Sequence, residues 1–174
     1  MAAPPLDLRS QLEHINRFLA GVYPDQEIRR LSDLLRQAGA GDTVIAVIRR
    51  QHLSAYLSRL SQRWRDFIAG VLSERHADIV IRRYALDGRP PPRLADLGAE
   101  YGISRERVRQ LEQAGVKRLR SRKRRQALQR IALEVACEVA GLLPEGTPGA
   151  AGAAVERPPS AGSPPPAFPP QPTA

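Results

Sequence analysis

The sequence predicts an all-α protein: a helical bundle that ends in a helix-turn-helix, followed by a disordered, proline-rich tail. Three observations predict it. Apolar residues recur at i, i+3 and i+4 through most of residues 5–143, the spacing of one helix face. No stretch alternates apolar and polar residues between hairpin turns, so strands find no support. From Pro144 onward, ten of 31 residues are Pro, mixed with Gly, Ala and Ser. Such a segment buries too little apolar surface to offset the entropy of ordering it.

The elements follow in order. Asp7 is placed to cap a first helix whose inward stripe is Leu12, Ile15, Phe18 and Leu19. Pro24 suits the first turn of a second helix, with Ile28, Leu31, Leu34 and Leu35 inward, and Gly39 and Gly41 end it. Asp42 opens a third, in which Val44, Ile45, Val47 and Ile48 crowd β-branched side chains that favour a helix less. Leu53 to Leu72 forms a fourth, with Leu57, Leu60, Trp64 and Ile68 on its buried face. Ser73 caps a fifth that runs through Tyr84. Leu86 to Pro92 is a rigid connector, because each proline fixes φ and keeps the residue before it out of the helical region.

Leu94 to Glu100 is then a short brace helix, with Leu94 and Leu97 inward and Gly98 permitting a close helix approach. Tyr101-Gly102-Ile103 is the turn, and Gly102 supplies the left-handed conformation of a tight corner. Ser104 caps the next helix, whose basic run continues through Arg125. A last helix, Arg125 to Leu143, carries the stripe Leu128, Ile131, Val135, Val139 and Leu142. That stripe has two readings: packing on the N-terminal helices, or a homodimer seam through residues 125–143. The chain thus divides into an N-terminal helical region (1–72), the helix-turn-helix with its extra helix (73–143) and the tail (144–174).

Charge is concentrated. Of a formal net +9, the stretch Ser104 to Arg125 holds eight Arg and two Lys against two Glu, or +8. A pI near 10.9 predicts attraction to polyanions, of which nucleic acid is the commonest. An acidic protein would satisfy the same charge. Only Lys117 and Lys123 are Lys among 27 basic residues, a bias that discounts arginine abundance as a binding signal in itself.

Several classes are excluded. A single cysteine, Cys137, rules out an internal disulfide or a Cys-rich zinc site. His14, His52 and His76 lack the spacing of metal ligands. Glu74 and Asp78 read as local ion-pair partners of Arg75 and Arg82 rather than an acid–base pair. There is no phosphate loop and no nucleophile motif, so neither catalysis nor a cofactor is expected. No apolar run approaches a bilayer span, and the N-terminus lacks a signal-peptide pattern, which points to the cytoplasm and to no membrane partner.

The helix after Ser104 is built to read duplex DNA. Arg105, Glu106, Arg109 and Gln110 share its exposed face at i, i+1, i+4 and i+5, in the first turn and a half that reaches base edges. Arg forks to guanine, Gln pairs with adenine, and Glu accepts from cytosine. Arg107, Lys117, Arg118, Arg120, Arg122, Lys123 and Arg124 are suited to phosphates, which give affinity and salt dependence without sequence information.

Taken with Arg75 to Gly88, ending R-R-Y-A-L-D-G, the block L-A-D-L-G-A-E-Y-G-I-S-R-E-R-V-R-Q-L-E and the following K-R-L-R resemble region 4 of the sigma-70 family of bacterial sigma factors. The resemblance covers Arg75 to Arg122. It implies a helix-turn-helix that reads the upstream (−35) promoter hexamer and docks on RNA polymerase, with Arg105, Glu106, Arg109 and Gln110 contacting bases and phosphates. It places the protein on the bacterial nucleoid. Three departures stand out. Arg93 occupies the cap position before the brace helix, Ala114 replaces a basic residue, and Gly115 replaces a strong helix former, so the reading helix is expected to bend or end near Gly115. Upstream of Arg75 no region 2 motif is recognisable, so a promoter-melting role is not expected.

Overall fold

The computed structural model describes residues 6–141, and every regular element among them is helical. In order these are α1 (Leu8–Val22), α2 (Leu31–Gln37), α3 (Asp42–Val47), α4 (Leu53–Val71), α5 (Glu74–Arg83), α6 (Leu94–Tyr101), α7 (Arg105–Leu119) and α8 (Arg122–Val139). A π-helical turn, Ile48–His52, joins α3 to α4. The all-α class expected from the periodicity is the class found. The tail from residue 144 and Leu142 of the last stripe lie outside the described residues.

Local signals placed several boundaries. Asp7 accepts the Ser10 N–H at 3.0 Å and starts α1. The β-branched third helix is short, and it gives way to the π-turn after Val47. α2 begins at Leu31, not at Pro24. Asn16 Oδ1, on α1, accepts the Leu31 N–H at 3.0 Å, and Asp33 Oδ2 accepts the Arg30 N–H at 2.9 Å. The orphan donors of a helix start are therefore satisfied there. The irregular segment before Arg30 delivers Ile28, 2% exposed, to the core.

The basic run is not one helix. α7 ends at Leu119 and α8 starts at Arg122, with a corner at Arg120-Ser121. Arg124 closes that corner by donating to the Arg118 carbonyl at 2.6 Å, which satisfies an orphan C-terminal acceptor of α7. The early end expected near Gly115 does not occur, because α7 runs on to Leu119. Gly115 instead sits in a notch where α7 crosses α5.

One large core draws on α1 to α5, the π-turn, α7 and α8. Phe18, Tyr56 and Trp64 lie at its centre, all 0% exposed. Three aromatic side chains donate to α8 carbonyls: Trp64 Nε1 to Leu128 (3.2 Å), Tyr56 OH to Ala132 (3.2 Å) and Tyr23 OH to Arg125 (2.8 Å). Each buries a large ring while satisfying its polar atom. Leu128, Ala132, Val135 and Ala136 of α8 are fully buried by this packing. The dimer seam read from that stripe finds no support, because the chain's own helices already cover Leu128 and Val135. A smaller cluster, Ile79, Leu97, Val108 and Leu111, ties α5, α6 and α7 together and positions the reading helix.

Candidate nucleic-acid interface

Two glycines shape the turn between α6 and α7. A Cβ on Gly98 would lie 2.7 Å from the Ile103 carbonyl, so only glycine permits that approach. Gly102 takes the left-handed conformation, φ 64° and ψ 34°, that ends α6. Arg93 makes no side-chain cap, as expected, but Asp96 Oδ2 accepts the Arg93 N–H at 3.2 Å and supplies the other half of a capping box. Ser104 Oγ accepts the Arg107 N–H at 3.1 Å and starts α7.

Asp78, Glu100 and Glu112 are each engaged by an arginine. Arg82 forks onto Glu100 at 2.6 and 2.9 Å and pairs with Asp78 at 3.4 Å. The Tyr101 hydroxyl donates to Asp78, and the Arg75 guanidinium stacks over the Tyr101 ring at 5.5 Å. Burial, then the Asp78 carboxylate, push the Tyr101 hydroxyl up to about 12. Arg83 joins Glu112 of α7 at 3.3 Å and the Pro92 carbonyl at 2.8 Å. Asp78 is thus the hub of a structural network with Arg82, Glu100 and Tyr101, in which Glu74 takes no part among the described residues.

The outer face of α7 is exposed from Ser104 to Arg107 and again at Arg109 and Gln110. Glu106, Gln110, Gln113 and Lys117 follow down it at i, i+4, i+7 and i+11. The groups are partly paired with one another. Arg109 forks onto Glu106 at 2.9 and 2.6 Å, and the hydrogen bond from Arg109 holds the Glu106 carboxyl below its ordinary value. Arg107 donates to Gln110 Oε1 at 3.1 Å. Arg105 adds a smaller charge effect on the same Glu106 carboxyl, after Arg109.

The remaining basic residues divide. Lys117, Arg118, Arg122 and Lys123 are exposed. Arg120 is exposed but donates through Nε to the Gly21 carbonyl at 3.0 Å. Arg124 is tied to the Arg118 carbonyl, and Arg125 pairs with Asp25 at 3.1 Å over the Tyr23 ring. The structure therefore brings Arg105 to Gln110 together with Lys117 and Arg118, and turns Arg124 inward. His76 joins the basic face from α5. Partial burial first, then Arg118 and Arg107, hold its imidazole below the ordinary value, and its Nδ1 lies 2.7 Å from Ser73 Oγ. Nothing in the spacing of His76 from α7 in sequence signals that neighbourhood.

Residues 68–121 match the family model of sigma-70, region 4. This segment is a sigma-70 region 4 domain. It is a transcription-related, DNA-binding or polymerase-interacting module. It is 41% identical over 54 residues to the RNA polymerase sigma-C factor of Nostoc sp. (strain PCC 7120), a stretch that is 31% of this chain and 13% of that protein. The chain thus spans a small fraction of that relative's length. No solved structure matches the chain. The region 4 domain begins within α4 and ends at the α7–α8 corner, so α1 to α3 and all of α8 lie outside it. No helix among the described residues is long and apolar enough to cross a membrane, and no cluster among them is arranged to hold a metal ion.

Proposed function

We propose that the chain is a non-catalytic transcription regulator that reads duplex DNA with α7 and acts alongside RNA polymerase on the bacterial nucleoid. The observation that carries this reading is the exposed face of α7, where Arg105, Glu106, Arg109 and Gln110 stand beyond a brace helix. Arg109 and Gln110 supply base contacts, and Glu106 holds Arg109 extended until a base replaces it. An exposed pair of this kind is weak, so the exchange costs little. Lys117, Arg118, Arg122 and Lys123 take phosphates and set the salt dependence. Residues 73–143 form the DNA-binding part, and residues 1–72 buttress it through the shared core.

A second reading has its own support. Because Glu106 and Gln110 already occupy Arg109 and Arg107, the face also suits docking on RNA polymerase or an anti-sigma protein with little base reading. Fluorescence anisotropy of the full chain, on random duplex and on duplex bearing a −35-like hexamer across a salt series, separates the two. A steep salt slope with preference for the hexamer supports the reader. Equal binding to both duplexes removes sequence specificity. No binding at physiological salt, with retention on RNA polymerase, supports the docking module.

A further inference from the structure

We propose that the N-terminal helices hold a second site, for a small amphipathic acid with an apolar body and one anionic headgroup. The site is an open groove of about 620 Å³ between α1, α2, α3, the π-turn and the start of α4. Small-molecule sites commonly run from roughly 300 to 1,000 Å³. Its floor is apolar, built from Leu31, Leu35, Ile45 and Ile48. Its rim carries three guanidinium groups, Arg30, Arg36 and Arg49.

The charges on that rim are unequal. Arg30 and Arg49 have no partner among the described residues. Arg36 is shared between Asp42 at 2.9 Å and Asp33 at 3.8 Å. Asp33 is the one acid in the lining, and it is committed locally: Oδ2 accepts the Arg29 and Arg30 N–H groups at 3.2 and 2.9 Å. Asn16 also lines the groove; because its Oδ1 accepts from Leu31 N, its amide NH2 is left as a donor.

An apolar floor beneath a cationic, donor-rich rim selects its ligand by both properties. An alkyl or ring body removes the floor from water, and an anionic head engages Arg30 and Arg49. A neutral alcohol of the same length leaves the guanidiniums unused, and a wholly polar anion leaves the floor wet. The π-turn contributes directly, since it carries both Ile48 of the floor and Arg49 of the rim. No lining residue comes from α5, α6 or α7, so the site stands independently of DNA reading.

The test uses two probes, decanoate and decanol, each titrated calorimetrically into the full chain below the concentration at which it aggregates. The expected result is saturable binding at one site per chain, with decanoate tighter than decanol by roughly tenfold or more. Changing Arg30→Gln and Arg49→Gln together should bring the two probes to equal affinity, and Ile45→Trp should abolish both by filling the floor. Circular dichroism confirms that each variant is folded. Because Arg30 and Arg49 are exposed, the arginine variant keeps the test decisive even if Ile45→Trp fails to fold. Absence of saturable decanoate binding, equal affinity for both probes in the unaltered chain, or an unchanged preference in the arginine variant overturns the proposal.

Discussion

Gly115 of α7 lies so close beneath Val80 of α5 that a methyl group added to Gly115 would stand 2.8 Å from Val80 Cγ2. The His76 carbonyl and Leu72 Cδ1 line the same notch, each 3.6 Å from that position. Glycine in a helix interior costs about 1 kcal/mol relative to alanine. Here that cost accompanies a helix crossing that a larger residue would spread, and the crossing sets how α7 stands on the rest of the domain.

Gly115→Ala is therefore expected to destabilise the chain, because overpacking costs about 1–3 kcal/mol and exceeds the gain in helix propensity. Gly70, on α4 with no atom near its would-be Cβ, is the control. Gly70→Ala should stabilise by about 0.5–1 kcal/mol. Combining Gly115→Ala with Val80→Ala should recover part of the loss, with a coupling of about 0.5 kcal/mol or more in a double-mutant cycle. Urea denaturation measures all four. Equal stabilisation by both glycine replacements would show that the notch is not tight.

Base reading and phosphate contact separate by substitution. Arg109→Ala should reduce preference for the target hexamer by roughly tenfold or more while leaving affinity for random duplex nearly unchanged. Arg118→Ala should weaken binding to all duplexes alike and lower the salt slope by about 1. Arg124→Ala should act through the fold instead, loosening the α7–α8 corner that its bond to the Arg118 carbonyl closes. Anisotropy on both duplexes, paired with thermal melts, distinguishes the three outcomes.

His76 confers a pH dependence of definite sign. Its imidazole is held below the ordinary 6.5 by partial burial and by Arg118 and Arg107. The unfolded chain then takes up the proton at higher pH than the folded chain does. Stability is undiminished above 6.5 and falls as the pH drops from there toward the folded value. His14, lowered by burial and Arg17, adds a slope of the same sign. DNA phosphates beside Arg107 and Arg118 would offset the cationic repulsion and raise the His76 value, so duplex binding should tighten as pH falls toward the free folded value, which lies below 6.5. NMR titration of the His76 ring with and without duplex measures this directly, and His76→Gln should remove its share of both slopes.

Features written in a few consecutive residues were legible in the sequence: the Asp7 and Ser104 caps, the Gly102 turn, the close approach at Gly98, and the stripes of α1, α4 and α8. What stayed hidden depends on distant partners. The start of α2 is fixed by Asn16 on another helix, and Gly115 is explained by Val80 of α5. The basic run looks uniform in sequence, yet Arg120 reaches Gly21 and Arg125 reaches Asp25, about a hundred residues away. His76 joins the reading face only because α5 crosses α7. Composition marks where charge lies, but not which charges the fold itself consumes.

The dependence of the region 4 domain on the rest of the chain yields the last prediction. Trp64 is fully buried, donates to the Leu128 carbonyl and packs against Phe18 at 5.6 Å between centroids, so it contacts α1 and α8 from within α4. Trp64→Phe loses the hydrogen bond and leaves a void, and should cost about 2 kcal/mol or more. If α8 and the N-terminal helices hold the domain through this one core, the unaltered chain unfolds in a single transition. Fluorescence of Trp64, the only tryptophan, reports on the core, while far-UV circular dichroism reports on all the helices. The two midpoints should coincide. A dichroism midpoint that separates from the Trp64 midpoint would instead mean that the helix-turn-helix melts independently, with α5–α7 held by Ile79, Leu97, Val108 and Leu111 alone.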